Sequence, residues 1–187
     1  MLSTLVASLF AFVGGALLWS FAEYTLHRFW GHEARGKNEF SREHLRHHAE
    51  DGYFTPTPKK LLTAVPIAAL FFGGLGYLLG VVGIALSVGF FAAYTTYEVM
   101  HYRLHITPPR NAYGRWARRH HFGHHFNCPK MNHGVTSPIW DVVFRTNQPI
   151  DKVRVPKRRA PASMPWLVDE QGELRPELAG DFTLVGR

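Results

Sequence analysis

Two long stretches of the chain contain no charged residue. No Asp, Glu, Lys or Arg occurs from Leu2 to Ala22 or from Leu61 to Tyr97. A membrane-spanning helix needs about 20 apolar residues, so the first stretch predicts one span. The second is too long for one span but fits two spans that reverse among its glycines, or a re-entrant hairpin. The pattern predicts an all-α integral membrane protein with three transmembrane helices, or one plus a hairpin, and excludes a wholly water-soluble globule.

A cleaved signal peptide is the competing interpretation of the first stretch. Such a peptide has a positively charged start and a cleavage site of small residues. No Lys or Arg precedes this apolar run, which leads directly into Glu23 and His27. These features favour a span that stays in the protein.

The basic residues are confined to two polar segments. All 21 Lys and Arg residues lie within residues 28–60 or 103–187. The positive-inside rule therefore predicts that both segments, including the C-terminus, face the cytoplasm. The net charge of +7 would permit nucleic-acid binding, but no DNA- or RNA-binding motif accompanies it, so no nucleic-acid partner is expected. An anionic lipid or an acidic protein suits a membrane chain better.

The composition changes again near Pro149. Prolines recur from this point, and residues 152–159 include five basic residues and no acid. We predict a membrane domain over residues 1–148 and a Pro-rich, basic cytosolic tail over residues 149–187. This tail would lie along the domain or the lipid headgroups, or form a solvated loop.

The chain has 12 histidines, and all lie outside the two uncharged stretches. Eleven fall into four clusters: HRFWGH (27–32), HLRHH (44–48), HYRLH (101–105) and HHFGHH (120–125). Residues three or four apart share one face of an α-helix, so the histidines of the last three clusters can project together. His27 and His32 are five apart, about 140° around an ideal helix. They can converge only if the helix ends or bends, as Gly31 would allow.

Clustered neutral imidazoles are typical ligands of divalent transition metals. Ten of them exceed what one ion can bind, so the pattern predicts a two-metal site at the membrane surface, on the cytoplasmic side. An all-imidazole site suits zinc, copper, iron or nickel. Glu23 and Glu98 precede His27 and His101 by four and three residues. Either acid could accept an imidazole N–H and orient the ring, or could simply face water.

Several segments resemble motifs of the fatty acid hydroxylase superfamily, the membrane di-iron group that includes sterol desaturases. They are most similar to those of the fatty acid 2-hydroxylases. The resemblance covers roughly Glu23 to Thr146, and it is carried by HRFWGH (27–32), YEVMHYRLH (97–105), RHHFGHHF (119–126) and GVTSPIWDVVFRT (134–146).

The resemblance implies a helical membrane fold with a cytosolic helical cap over two metal ions, a function and a set of site residues. The implied function is an iron-dependent hydroxylase that uses dioxygen to hydroxylate the fatty-acyl chain of a membrane lipid. The similarity to fatty acid 2-hydroxylases favours the 2-position. Two iron ions are implied, although zinc replaces iron in some crystallised relatives. The implied ligands are His27, His32, His44, His47, His48, His101, His105, His121, His124 and His125.

Three further residues receive expectations from the same resemblance. His120 would support the ligands without binding metal, and Asp141 would orient a ligand histidine or cap a helix. His133 stands where the superfamily usually has an aromatic residue, so it could be a ligand, a proton relay or a neutral replacement. The chain has no flavin or pyridine-nucleotide motif, so electrons are expected from a separate cytochrome b-type or ferredoxin-like protein.

Two alternatives stay open from the sequence. A hydroxylase or desaturase of the same superfamily that acts on a sterol, hopanoid or carotenoid would use the same ligands. A divalent-metal transporter is the alternative that is not an enzyme, but transporters place their ligands near the middle of the bilayer. The uncharged stretches here contain no histidine.

Overall fold

The computed structural model describes residues 1–186, which form two compact units. Unit 1 comprises Met1–Glu23 and Thr55–Glu98, and unit 2 comprises Tyr24–Phe54 and the residues from Val99 onward. In this part of the chain, three helices are long and apolar enough to cross a membrane: Leu2–Glu33, Thr57–Leu79 and Val81–Ile106. The prediction of an all-α membrane protein with three such helices is confirmed, apart from one short two-stranded sheet.

The helices follow one another closely along the chain. The α-helices are α1 (Leu2–Thr25), α2 (Glu39–Ala49), α3 (Thr57–Ala69), α4 (Gly76–Leu79), α5 (Val81–Ile106), α6 (Ala112–Phe122), α7 (Ile139–Val143) and α8 (Ala160–Ser163). Three π-helical segments extend them, at Leu26–Glu33 after α1, Leu70–Leu75 after α3 and Gly123–Asn127 after α6. A short 3₁₀ helix covers Pro176–Leu178.

Glycines allow the helices of unit 1 to pack closely. A Cβ atom at Gly15 would lie 2.0 Å from the carbonyl oxygen of Leu86, and one at Gly89 would lie 1.9 Å from that of Phe12. The backbones of α1 and α5 are therefore in contact, as is common where small residues line helix pairs in membranes. Between α4 and α5 the chain turns at Gly80, whose φ of 59° suits glycine. The reversal thus occurs among the glycines from which it was predicted.

Two asparagines start α2 and α6, two of the helices that carry histidines. The Asn38 side chain accepts a hydrogen bond of 2.7 Å from the Ser41 amide at the start of α2. The Asn111 side chain accepts one of 2.7 Å from the Gly114 amide at the start of α6. Asparagine is among the best residues at this position because its side chain satisfies a free N–H group. These caps set where α2 and α6 begin.

The segment after Pro149 is folded into unit 2. Strand β1 (Val153–Pro156) pairs in parallel with strand β2 (Phe182–Val185), with Val153 opposite Phe182. The side chains of Val153, Met164 and Phe182 pack with Phe122 of α6 in one hydrophobic core. The predicted boundary after residue 148 stays a prediction, and the residues that follow it supply much of this core.

Candidate metal centre

A π-helical segment brings the first two histidines together. In this segment, Leu26–Glu33, hydrogen bonds join residues five apart, so His27 and His32 come to lie on the same side. Their ring centroids are 5.3 Å apart. The helix widens here and does not end at Gly31. A Cβ atom at Gly31 would lie 2.9 Å from the His44 ring, so glycine allows α2 to approach.

The ten histidines implied as ligands gather in unit 2 as two groups of five. In each group, one potential ligand atom from every residue lies within 4.8 Å of all the others. The first group contains His27, His32, His44, His48 and His124, and the second contains His47, His101, His105, His121 and His125. Each group thus joins two neighbouring sequence clusters, except that His47 and His124 are exchanged between them.

The spacing of the imidazole nitrogens fits coordination of an ion. In the first group, the Nε2 atom of His32 lies 2.9 Å from those of His44 and His124. In the second, the Nε2 atoms of His105 and His121 are also 2.9 Å apart. Two nitrogen ligands at right angles, each about 2.1 Å from an ion, would be about 3.0 Å apart. The separations therefore match neighbouring ligands of a transition metal.

Backbone carbonyls fix the tautomers of two rings in the first group. His27 donates from Nδ1 to the His133 carbonyl at 2.5 Å, and His124 donates from Nδ1 to the Met131 carbonyl at 2.7 Å. A neutral imidazole that donates from Nδ1 has an unprotonated Nε2. The Nε2 atoms of His27 and His124 are 3.0 Å apart, so two lone pairs face each other. A cation between them would turn this repulsion into attraction.

The second group is supported in the same way. His47 donates from Nδ1 to the Tyr53 carbonyl at 2.6 Å, and His105 donates to the Ser163 carbonyl at 3.2 Å. In both rings Nε2 is therefore unprotonated and carries a lone pair directed at another histidine of the group. Ser163 belongs to the C-terminal segment, so this segment helps to orient a histidine of the candidate centre.

One histidine of the first group stacks on one histidine of the second, and neither ring forms a hydrogen bond through Nε2. The rings of His48 and His125 are 4.0 Å apart and nearly parallel, with an angle of 10°. Within residues 1–186, the Nε2 atoms of both are buried and have no hydrogen-bond partner. A buried acceptor left unpaired costs about 1–3 kcal/mol. Coordination of an ion by each Nε2 would remove this cost.

Burial keeps these imidazoles uncharged. Burial, and then the neighbouring His32 and other imidazoles, hold the pKa of His124 well below its ordinary value of 6.5. Burial and adjacent histidines lower the pKa of His44, His48, His121 and His125 in the same way. Neutral rings with lone pairs are the form that binds metal. The histidine groups could therefore hold metal ions, and the donor set fits a transition metal.

Asp141 lies at the centre of a buried hydrogen-bond network. Its carboxylate accepts from the backbone amides of His133 and Gly134 at 2.8 and 2.7 Å, and from the Thr146 hydroxyl at 2.7 Å. His120 lies 3.3 Å away through Nε2. Burial by itself would raise the pKa of Asp141. The hydrogen bonds, first among them the one with His120, lower the pKa by more than burial raises it, so it lies below its ordinary value. The carboxylate thus positions the backbone at His133, whose carbonyl accepts from His27.

The remaining predicted site residues belong to unit 1. Glu23 is buried, and Glu98 forms an ion pair with Lys60. Their roles toward His27 and His101 stay predictions, as do the ligand roles of the ten histidines. Sequence reasoning missed the carbonyls of Tyr53, Met131 and Ser163. It had no signal for them, because a backbone carbonyl is the same at every residue.

The family model and the relatives that match this chain are fatty acid hydroxylases by name. Residues 12–146 match the family model described as "Fatty acid hydroxylase". Dihydroceramide fatty acyl 2-hydroxylase FAH2 of Arabidopsis thaliana is 32% identical over 143 residues, covering 71% of this chain and 58% of the relative. The fatty acid 2-hydroxylase of Mus musculus is 32% identical over 148 residues, covering 72% of this chain and 38% of the relative.

A fungal relative and a solved structure also match this chain. Ceramide very long chain fatty acid hydroxylase scs7 of Schizosaccharomyces pombe is 32% identical over 151 residues, which cover 74% of this chain and 42% of the relative. A solved structure titled "Full length scs7p (only hydroxylase domain visible)" aligns with a TM-score of 0.61 and 26% identity. That alignment covers 78% of this chain and 57% of the solved one. This chain therefore spans about half the length of the relatives that it matches.

Proposed function

Because the chain belongs to the fatty acid hydroxylase family, we propose that it is a membrane-bound oxygenase that hydroxylates the fatty-acyl chain of a lipid at the 2-position. The relatives' names support this substrate class and this position. The observation that carries the proposal is the pair of histidine groups, each with five nitrogens turned toward one another.

In this proposal each group of five histidines holds one iron ion. Zinc would fit the same nitrogens but has no redox chemistry, so it cannot support a hydroxylation. When bound, the two iron ions would supply the activation of dioxygen. Overall, dioxygen takes up two electrons and two protons, one oxygen atom enters a C–H bond of the substrate, and the other leaves as water. The electrons come from a separate donor protein.

The histidines have three tasks in this reaction. Their neutral rings bind the ions without competing protons, since burial lowers the pKa of residues such as His124 and His125. The hydrogen bonds from Nδ1 of His27 and His47 to backbone carbonyls keep Nε2 directed inward. Burial of part of each group limits the access of bulk water and so suppresses side reactions.

The activity is tested by loading the purified full-length chain with Fe²⁺ and supplying an electron donor, a fatty-acyl lipid and ¹⁸O₂. We expect lipids with a 2-hydroxyacyl chain whose hydroxyl carries ¹⁸O, detected by mass spectrometry. Loading with Zn²⁺ should give no product. Label that came from H₂¹⁸O, or product without iron, would contradict the proposal. A product hydroxylated on a sterol, hopanoid or carotenoid would reassign the substrate.

The histidines are tested by replacing His124 and His125 together with alanine. We expect loss of product, because each group loses one nitrogen. Glu170→Ala, at an exposed position, is the matched control and should retain activity. Circular dichroism checks that the double variant keeps its helices. Activity that survives in the folded double variant would refute the ligand assignment.

We also propose that the histidine groups and the C-terminus face the cytoplasm, because the basic residues lie in the segments that contain them. Cys128, the single cysteine, is partly exposed and lies close in sequence to His124 and His125. A membrane-impermeant maleimide should label it in inverted vesicles but not in right-side-out vesicles. Leu79→Cys, beside the turn at Gly80, in a Cys128→Ser background should show the opposite pattern. Labelling of Cys128 from outside would reverse the orientation.

A further inference from the structure

His133 is a histidine beside the first group that the proposed function does not use. Its side chain is only 2% exposed. Its ring centroid lies 5.4 Å from that of His27, 5.7 Å from that of His32 and 5.2 Å from that of His124. It therefore contacts three of the five members of the first group.

The hydrogen bonds of His133 leave one ring nitrogen as a free acceptor. Its Nε2 lies 3.2 Å from the Lys130 carbonyl, to which it donates. A neutral imidazole that donates from Nε2 has an unprotonated Nδ1. This Nδ1 is buried and has no hydrogen-bond partner among the described residues. A buried acceptor of this kind indicates a hydrogen-bond donor that the protein itself does not supply.

The position of His133 is fixed from several sides. Its backbone amide donates to Asp141 at 2.8 Å, and its carbonyl accepts from Nδ1 of His27 at 2.5 Å. Its ring packs edge-on against Tyr24, with centroids 5.8 Å apart. An acceptor held this firmly can select one position for a small polar molecule.

We propose that His133 is a positioning residue of the first group, and that its Nδ1 accepts a hydrogen bond from a water molecule bound beside the ion of that group. This inference depends on the metal-binding part of the proposed function. A water molecule is the donor that fits this position. If His133 were itself a metal ligand, its ligand atom would lie as close to the other ligand nitrogens as they lie to one another. His133 lies outside the set of five whose ligand atoms are all within 4.8 Å of each other.

The inference makes the two groups different. The chain has 12 histidines; ten form the two groups, and His120 pairs with Asp141. Only His133 remains, and its ring neighbours in the candidate centre belong to the first group. The first group thus combines an ion with a fixed acceptor for water, whereas no such histidine is left for the second. One ion should therefore hold an exchangeable water more firmly than the other.

The test uses the purified full-length protein loaded with Co²⁺, whose visible absorption reports on its ligands. His133→Leu removes the acceptor, His133→Gln keeps one, and His120→Phe is a matched control that also alters a partner of Asp141. Release of Co²⁺ into excess EDTA is followed over time. Loss of support beside a metal ligand commonly weakens metal binding by about 10–100-fold. We expect one of two release phases to be roughly tenfold or more faster in His133→Leu, with the other unchanged.

The other readouts separate the possible roles. The number of bound ions should stay the same in all variants, the spectrum of one ion should change in His133→Leu, and His133→Gln should restore both. Identical release and spectra in His133→Leu would overturn the inference, as would an equal effect of His120→Phe. Loss of one ion outright would make His133 a ligand and would also overturn it. His133→Phe replaces the leucine variant if the latter does not fold. If the unmodified protein binds no ion, the proposed function fails instead.

Discussion

Replacing Asp141 with asparagine tests how strongly the protein depends on one buried carboxylate. The side chain is fully buried and accepts hydrogen bonds from the amides of His133 and Gly134 and from the Thr146 hydroxyl. Asparagine is nearly the same size but keeps only one oxygen. Its NH₂ group would face at least one of these donors. Two donors cannot form a hydrogen bond with each other, so at least one bond to Asp141 would be lost.

The distances indicate a large effect. Hydrogen bonds to a charged group contribute about 1.5–3 kcal/mol each, and those of Asp141 from the two amides and Thr146 lie between 2.7 and 2.8 Å. Removing one partner from a buried ionic network typically costs about 3–5 kcal/mol. We therefore expect Asp141→Asn to lower the free energy of unfolding by about that amount. For a chain of this size, this corresponds to a fall of roughly 10 °C in the melting temperature.

The assay is thermal unfolding of the metal-free protein in detergent, followed by circular dichroism. The matched control is Asp169→Asn, because Asp169 also accepts from two backbone amides but lies in a partly exposed turn. We expect the control to melt within about 3 °C of the parent protein, since exposed hydrogen bonds contribute less. A fall of less than 3 °C for Asp141→Asn, or one equal to that of the control, would refute the reasoning.

The same residue gives a dependence on pH. Because the folded protein lowers the pKa of Asp141 below its ordinary value of 3.8, the carboxylate stabilises the folded state above that pH. This contribution is lost as the pH falls through the lower value of the folded state. The difference in stability between the parent protein and Asp141→Asn should therefore be full at neutral pH and should narrow below pH 3.8. A constant difference would contradict the pKa assignment.

Two further variants test the packing of each unit. Gly89→Ala should lower the melting temperature by several degrees or prevent folding, because its Cβ would lie 1.9 Å from the Phe12 carbonyl oxygen; Gly14→Ala, with no atom within 4 Å, should melt like the parent. Trp166→Phe removes the 2.7 Å hydrogen bond from the indole to the His105 carbonyl. It should destabilise the protein by about 1–3 kcal/mol in thermal unfolding and speed ion release from the second group alone. Equal melting of both glycine variants, or equal release from both groups, would contradict these expectations.

The helices were predictable because a membrane excludes charge. The absence of charged residues from Leu2 to Ala22 and from Leu61 to Tyr97 reflects the high cost of placing a charge in lipid, so the spans follow from composition alone. The gathering of His44, His47 and His48 was also predictable, since helical spacing brings them to one region.

The division of the histidines between two groups was not predictable. His44 and His48 belong to the first group, but His47, between them, belongs to the second. Spacing predicts a shared face, but it cannot resolve which of two adjacent centres each ring reaches. The π-helical turn at His27 was missed because the sequence offered Gly31 as a place for the helix to end. The fold of the last segment depends on contacts distant in sequence, such as that of Val153 with Phe182.

Four histidine rings are oriented by hydrogen bonds to main-chain carbonyl oxygens. These oxygens belong to His133, Met131, Tyr53 and Ser163. Every amino acid brings the same oxygen, so a mutation at these positions can change the side chain and leave the support untouched. As far as this support is concerned, the side chains at positions 53, 131 and 163 can therefore vary while the path of the loops stays constrained. An alignment that scores residue types would not detect these carbonyl contacts. Only insertions, deletions or a changed path of the loops would show that such a contact had been lost.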